Sequence, residues 1–342
     1  MKATIKDVAK LAGVSIKTVS RVINRESSVK PETEKKVSEA IQQLQYQPNS
    51  AARNLAGTQS FAIGYVYDNP NAYYVISMQN GILKECQKNG FELIIHPCDA
   101  ASDNILEEIK LMIRRSQLAG LILSPPLSET PKVMEFLDEM GVHYVRVLSG
   151  SHTSDARTPC VYIDDRKAAH EIGEHIISAG HERIAFLSGD KHHQSTGERL
   201  EGFITALKEH NIKSDKKLII EGEYSFQSGV EGAKKLLAMK NPPTAIFACN
   251  DEIAAGALFA ARLMGKAVPD DVAIAGFEDS PFSRQTWPKL TTAAQPMDQV
   301  AKQAASLLIK HIISARRRKK EPVQHHYFEP QLIVRESTQH DA

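Results

Sequence analysis

From residue 61 onward, short apolar runs alternate with longer stretches of helical period. Runs over 61–66, 91–96, 120–123 and 143–148 read as strands, and stretches over 78–89, 104–115 and 132–140 as helices. After Asp164-Asp165 the pattern restarts. It predicts a helix to Ala179, a strand over 184–187, a helix over 200–210 and a strand over 217–220. Then follow a helix over 229–238, a strand over 245–248, a helix over 253–264 and a strand over 272–275. Such alternation predicts an α/β body of two doubly wound parallel-sheet halves. A last helix near 298–314 and a strand over 331–334 are expected to cross back between them.

The first fifty residues have another rhythm. A short helix pattern over 5–12 puts Val8, Ala9 and Ala12 on one face and stops at Gly13, which tolerates a left-handed backbone. Val14 reads as a buried turn residue. Ser15 is a natural N-cap for a second helix over 16–23, with Val19, Val22 and Ile23 packing back on the first. Two helices joined so tightly need a small residue at their crossing, and Ala9 supplies it. Ala9, Gly13 and Val19 together have the spacing of a helix-turn-helix. Ile16, Lys17, Thr18 and Arg21 are left facing outward, in the place of a major-groove reading helix. There Arg21 suits guanine, Lys17 a guanine or a phosphate, and Ile16 a thymine methyl. A third helix is expected over 31–44. Pro31, Glu32 and Glu34 suit its first turn, and Val37, Ala40, Ile41 and Leu44 form its apolar stripe, although Lys30 is a poor N-cap.

Pro48 breaks that helix. Asn49 or Ser50 could cap a further one ending at Gly57, and two turns are marginal in water without a partner. Ala52, Leu55 and Ala56 share its face. Leu55 fits either of two roles, a wedge in a DNA minor groove or a packing contact on the following domain.

Charge sharpens the picture. The net charge is +1, but residues 1–60 hold ten Lys/Arg against five Asp/Glu, a balance of +5, which leaves −4 for the rest. A basic end on a mildly acidic body suits a chain that meets a polyanion with that end. The four cysteines are scattered without a Cys-x-x-Cys pair, as expected of reduced thiols. No run of about eighteen apolar residues occurs, so no membrane span is expected. The N-terminus has no apolar signal core, so export is not expected and the chain reads as cytoplasmic and nucleoid-associated.

These stretches resemble the lactose-repressor/galactose-repressor family of bacterial regulators. The resemblance is carried by 4–9, Gly13-Val14-Ser15, 18–24, Tyr46-Gln47-Pro48-Asn49, Ala52-Arg53 and Leu55-Ala56, and it extends to 330–338. It implies that Ile16, Lys17 and Arg21 read bases in double-stranded operator DNA. Thr4, Ser15, Thr18, Ser20, Asn24 and Asn49 would touch the DNA backbone. Leu55, with its mate in a homodimer, would wedge into the centre of a palindromic operator. The resemblance also implies a periplasmic-binding-protein-like body with crossovers near 162, 291 and 323. The expected organisation is a headpiece over 1–46 and a hinge over 47–60. One half would span 61–162 with 291–322, and the other 163–290 with 323–342.

Ligands in such sheets sit beyond the carboxyl ends of the strands, here between the halves. That position selects Tyr67, Asp68 and Asn69, with Tyr73 and Tyr74 close behind, then Ser124, Asn250-Asp251 and Glu278-Asp279. Carboxylates, amides and aromatic faces near one cleft suit a sugar. By resemblance, Arg199 looks like the family's effector arginine, and Asn250 and Tyr224 sit at similar effector positions. Glu278 stands where an aspartate is common, which lengthens its reach.

Other features lead elsewhere. The pairs His192-His193 and His325-His326 lack regularly spaced partners, so no metal site is expected from them. The run 316–320 reads as a solvated loop. No nucleophile elbow or phosphate loop appears, so neither enzyme chemistry nor a cofactor is expected. The expected function is a DNA-binding regulator, a repressor controlled by a small effector, a sugar or sugar derivative. Its alternatives are a co-repressed or activating regulator with a different ligand, and a sugar-binding transport protein. With no room for a heptad helix after the last strand, a dimer rather than a tetramer is expected.

Overall fold

The computed structural model describes residues 3–23, 29–46, 60–69, 71–150, 157–319 and 322–339. Asn24, Asn49, Ala52, Leu55 and Ala56 lie outside the described residues. Three helices form the N-terminal unit: α1 (Ile5–Ala12), α2 (Ile16–Ile23) and α3 (Pro31–Gln43). The Thr4 backbone N–H donates to the Asp7 carboxylate at 2.8 Å, closing the first turn of α1. Gly13 ends that helix with φ +65°, and Ser15 Oγ accepts from Thr18 N at 3.1 Å at the start of α2. Lys30 gives α3 no side-chain cap. Val8, Ala9, Val19, Val22, Val37 and Ala40 make the core. Its polar rim is thus held by local caps and its centre by small and β-branched side chains.

The body begins with β1 (Ala62–Tyr67), α4 (Ala72–Asn89), β2 (Glu92–Pro97), α5 (Ile105–Ser116) and β3 (Gly120–Leu123). Next come α6 (Pro131–Glu139), β4 (His143–Ser149) and β5 (Cys160–Ile163). The second half runs α7 (Asp165–Ser178), β6 (Ile184–Leu187), α8 (Gln194–Glu209), β7 (Ile219–Ile220), α9 (Phe226–Leu237) and β8 (Ala245–Ala248). It continues through α10 (Asp251–Leu263), β9 (Ala273–Ala275), α11 (Pro281–Gln285) and β10 (Thr292–Ala294). The chain closes with α12 (Met297–Arg316), β11 (His326–Phe328) and β12 (Gln331–Ile333).

The first sheet has the order β11-β5-β4-β3-β1-β2 and the second β7-β6-β8-β9, and all of their pairings are parallel. Strands such as β3, β6 and β8 are buried along their whole length, as parallel strands covered on both faces must be. β10 and β12 pair antiparallel in a small separate sheet.

Two departures from expectation matter. His326–Phe328 pairs with Cys160–Ile163 in the first sheet, so the last return to the second half follows residue 328 rather than 323. The exposed first two residues of this strand hid it from a search for apolar runs. Secondly, α4 and α8 each begin six residues before the start their apolar period suggested. The first turn of α8, Gln194-Ser195-Thr196-Gly197, is polar, whereas that of α4, Ala72-Tyr73-Tyr74-Val75, is mostly aromatic and apolar and continues the same helix. Among the described residues no helix is long and apolar enough to cross a membrane.

Candidate functional site

In the headpiece, Ile16 and Lys17 are exposed on the first turn of α2 and Thr18, Ser20 and Arg21 are half-buried beside them. Ile16 is 45% exposed although it is aliphatic and on an amphipathic helix. Thr4, Ser15 and Thr18 lie at the N-terminal ends of α1 and α2. Ser15 and Thr18 share a hydroxyl–hydroxyl bond of 2.9 Å. A row of hydroxyls and a cation at helix N-termini is a surface for phosphates.

In the body, a cavity of about 50 Å³ lies between the halves at the strand ends, and Asn69, Arg199, Tyr224 and Glu278 line it. Arg199 is buried and borders this cavity. Nη2 donates to Asp165 Oδ1 at 3.2 Å and Nη1 to the Cys249 carbonyl at 2.7 Å. Glu278 Oε1 is 3.6 Å from Nη1, and the guanidinium lies 4.0 Å over the Phe277 ring. Glu278 sits at φ +104°, with Asp279 at +54°. Such backbone costs ~1–3 kcal/mol per residue. The neighbouring anchors that hold it are Arg335 and Arg284, which both donate to Asp279.

Burial dominates the electrostatics. It pushes the Glu278 carboxyl up to about 8, with the Arg199 charge pulling the other way. Burial also raises Asp251 and Glu129, each to about 7. His193, close to Tyr224 at 5.5 Å between ring centroids, is pushed down by burial toward the neutral form.

Three polar contacts span the cleft. Asn71 Nδ2 donates to Glu278 Oε2 at 2.6 Å. Glu129 Oε2 accepts from the Gln194 N–H at 3.1 Å. Ser149 donates to Asp165, whose other oxygen accepts from Gln295 at 2.7 Å. A void of about 50 Å³ has room for roughly three waters. Anything the size of a sugar ring must therefore part these contacts.

The remaining candidates have other places. Asp68 accepts from Ala100 N at 2.9 Å and ties two loops together. Ser124 is buried between the hydroxyls of Tyr74 and Tyr65. Asn250 is the N-cap of α10, its Oδ1 accepting from Ile253 N at 2.9 Å, while its buried Nδ2 has no hydrogen-bond partner. Tyr73 is half-exposed against the edge of Phe282. It borders a wider opening of about 410 Å³ next to the cavity. A strand-end rule cannot separate a side chain that lines a cavity from one that braces its wall.

Sequence reading missed Asn71, Asp165, Glu129 and Gln295. Asn71 could have been found as the N-cap of a longer α4. Asp165 was visible only as a break in the pattern, and the other two are placed by non-local packing.

Comparisons with known proteins agree with this geometry. Residues 4–49 match the model of bacterial regulatory proteins of the lacI family, and residues 174–338 that of the periplasmic binding protein-like domain. Catabolite control protein A of Priestia megaterium is 34% identical, over 91% of this chain and 93% of its own length. The HTH-type transcriptional regulator DegA of Bacillus subtilis is 34% identical, over 99% of this chain and 98% of its own. Among solved structures, the CelR–cellobiose complex aligns with a TM-score of 0.73 at 29% identity, covering 98% of this chain and 100% of that one. A lac repressor dimer bound to operator and an anti-inducer aligns with a TM-score of 0.73 at 26% identity, covering 99% of each chain. The capped reading helix, the two-lobed body and these likenesses together show that the chain belongs to the lacI family of bacterial regulatory proteins, as a helix-turn-helix DNA-binding transcription regulator and not an enzyme.

Proposed function

We propose that this regulator is a repressor that binds a palindromic operator as a homodimer and is released or recruited by a neutral sugar in the cleft. The observation that carries the reading is the cleft itself, a buried arginine bonded to Asp165 and to the Cys249 carbonyl, with the Glu278 carboxyl beside it. Among the described residues, the cation that lines the cavity, Arg199, is already paired with Asp165, and the carboxylates and amides around it accept from and donate to hydroxyls. One neighbour in the comparisons is a cellobiose complex and another carries bound ribose, which supports a sugar.

In this reading Ile16, Lys17 and Arg21 read bases, and Thr4, Ser15, Thr18, Ser20, Asn24 and Asn49 hold the backbone. Leu55, flanked by Ala52 and Ala56, wedges into the minor groove. Asn69, Arg199, Tyr224 and Glu278 contact the sugar directly. Asp68, Tyr73, Ser124 and Asn250 support them from the wall. Two half-sites need two headpieces. Exposed Ile76 and Leu83 on α4, and Phe259 and Leu263 on α10, provide apolar surface for a second copy. The protein acts in the cytoplasm, on nucleoid DNA.

Effector control follows from differential binding: a sugar shifts operator affinity only if it binds one cleft geometry better than the other. Footprinting of the full chain on genomic fragments, with and without cellobiose or ribose, tests this. Protection of a palindrome that changes with one sugar is the expected result. Failure to protect any palindrome would refute the operator reading, and sugar-insensitive protection would refute the effector reading. In the same assay Leu55→Ala should lose specific protection while the body still binds effector.

A further inference from the structure

Away from the cleft, α7 and α8 lie unusually close. A Cβ on Gly202 would stand 2.1 Å from the Arg166 carbonyl oxygen, and one on Gly173 would stand 2.8 Å from the Ala206 Cβ. Because small residues let the helix backbones approach, the polar side chains at the far end of the pair meet across the seam. His170 and Glu174 are one turn apart on α7, and Glu209 is the last residue of α8.

His170 Nε2 is 2.7 Å from Glu209 Oε2 and 3.9 Å from Glu174 Oε1. All three donor atoms lie within 4.8 Å of one another. Glu174 Oε2 is taken by His210 Nε2 at 2.9 Å, while Glu174 Oε1 is buried and has no hydrogen-bond partner. That orphaned oxygen, turned toward an imidazole nitrogen and a second carboxylate, is what an ion pair alone leaves unexplained.

The geometry points to a divalent transition-metal site, of the zinc class, formed by His170 Nε2, Glu174 Oε1 and Glu209 Oε2. Zinc bonds to imidazole and carboxylate at about 2.0–2.2 Å, which puts tetrahedral donors roughly 3.3–3.5 Å apart. The separations of 2.7 and 3.9 Å bracket that spacing and the third is within 4.8 Å, so shifts of roughly an ångström in side chains that are 28% (His170), 36% (Glu174) and 56% (Glu209) exposed complete it. His210 is a positioning residue that holds Glu174 by its outer oxygen, as outer-shell partners do around metal ligands. Nitrogen and oxygen donors without thiolate suit Zn²⁺, Co²⁺ and Ni²⁺. The remaining position is open to water. An ion there clamps together the helices that carry Asp165 and Arg199.

The test uses the tag-free full chain and Co²⁺, whose visible absorption reports its coordination. One Co²⁺ per chain, with a visible band that Zn²⁺ bleaches, is expected. Glu209→Gln and Glu174→Gln should each weaken binding at least tenfold, and His192→Gln, at an exposed position elsewhere, should change nothing. Zn²⁺ should raise the melting temperature of the parent and not of Glu209→Gln. A chain that gives no band, or a band that Glu209→Gln leaves unchanged, overturns the site. Glu209 sits more than half exposed at a helix end, so that variant decides the matter even if Glu174→Gln does not fold.

Discussion

Asn71 and Glu278, 207 positions apart, meet across the cleft with the amide nitrogen donating to the carboxylate at 2.6 Å. The same Asn71 side chain caps α4 through its oxygen, accepting from Tyr73 N at 3.0 Å and Tyr74 N at 3.2 Å. One residue thus caps the start of a helix in the first half and latches it to the second. Its two functions use different atoms and can be separated by substitution.

Asn71→Ala should lose both functions and destabilise the body by ~1–2 kcal/mol, about the value of a lost cap plus a partly buried hydrogen bond. Asn71→Asp keeps the capping acceptor but turns the donor into a second carboxylate facing Glu278. Its melting temperature should lie close to the parent's at pH 6 and clearly below it at pH 8.5. Equal losses at both values would show that the latch is not electrostatic.

Glu278 titrates near 8 in the folded protein against about 4.5 as an ordinary glutamate. Between those values the folded state holds a proton that the unfolded state releases, so stability falls as pH rises through that window. Glu129 and Asp251, raised to about 7, act with the same sign over a shorter range. Glu278→Gln mimics the protonated form. Its melting temperature relative to the parent should rise by several degrees from pH 5 to pH 8.5, and a constant difference would contradict the assignment.

Gly13 ends α1 at φ +65° with no atom near enough to obstruct a methyl group. Gly13→Ala therefore introduces backbone strain without a clash, at roughly 1–2 kcal/mol. The headpiece should melt at lower temperature while effector binding by the body stays unchanged. Loss of effector affinity would place Gly13 in a wider role.

Arg21→Ala should weaken operator binding by ~1–3 kcal/mol and relax preference at one base pair per half-site, as loss of a bidentate guanine contact does. Lys17→Ala distinguishes its two possible contacts. A phosphate contact lowers affinity evenly across sequences and reduces the salt slope by about one, whereas a base contact changes sequence preference. Variants that retain parental affinity and specificity would remove both residues from the reading surface.

Local order made the headpiece legible from sequence. Its caps and its Gly13 turn involve partners a few residues apart, its Val8, Val19 and Val37 core comes from the apolar face of each of three helices, and these features appear as read. The α/β alternation was legible for a similar reason, since strands buried on both faces need unbroken apolar runs. β11 escaped because its exposed His326 and Tyr327 break that rule.

The cleft divides the same way. Glu278 was found by its strand-end position and Arg199 through the family resemblance, but the cross-cleft partners Asn71, Glu129 and Gln194 were not. The same holds for His170, Glu174 and Glu209, which are separated by up to 39 positions and joined only because Gly173 and Gly202 let two helices touch. Sequence alone determined the elements of the helix-turn-helix end, because propensity, caps and periodicity act over a few residues. Only tertiary structure decided which cleft side chains face the cavity, which brace it, and which distant side chains share one place. Those outcomes depend on how whole helices and sheets pack, and no short window of sequence contains that information.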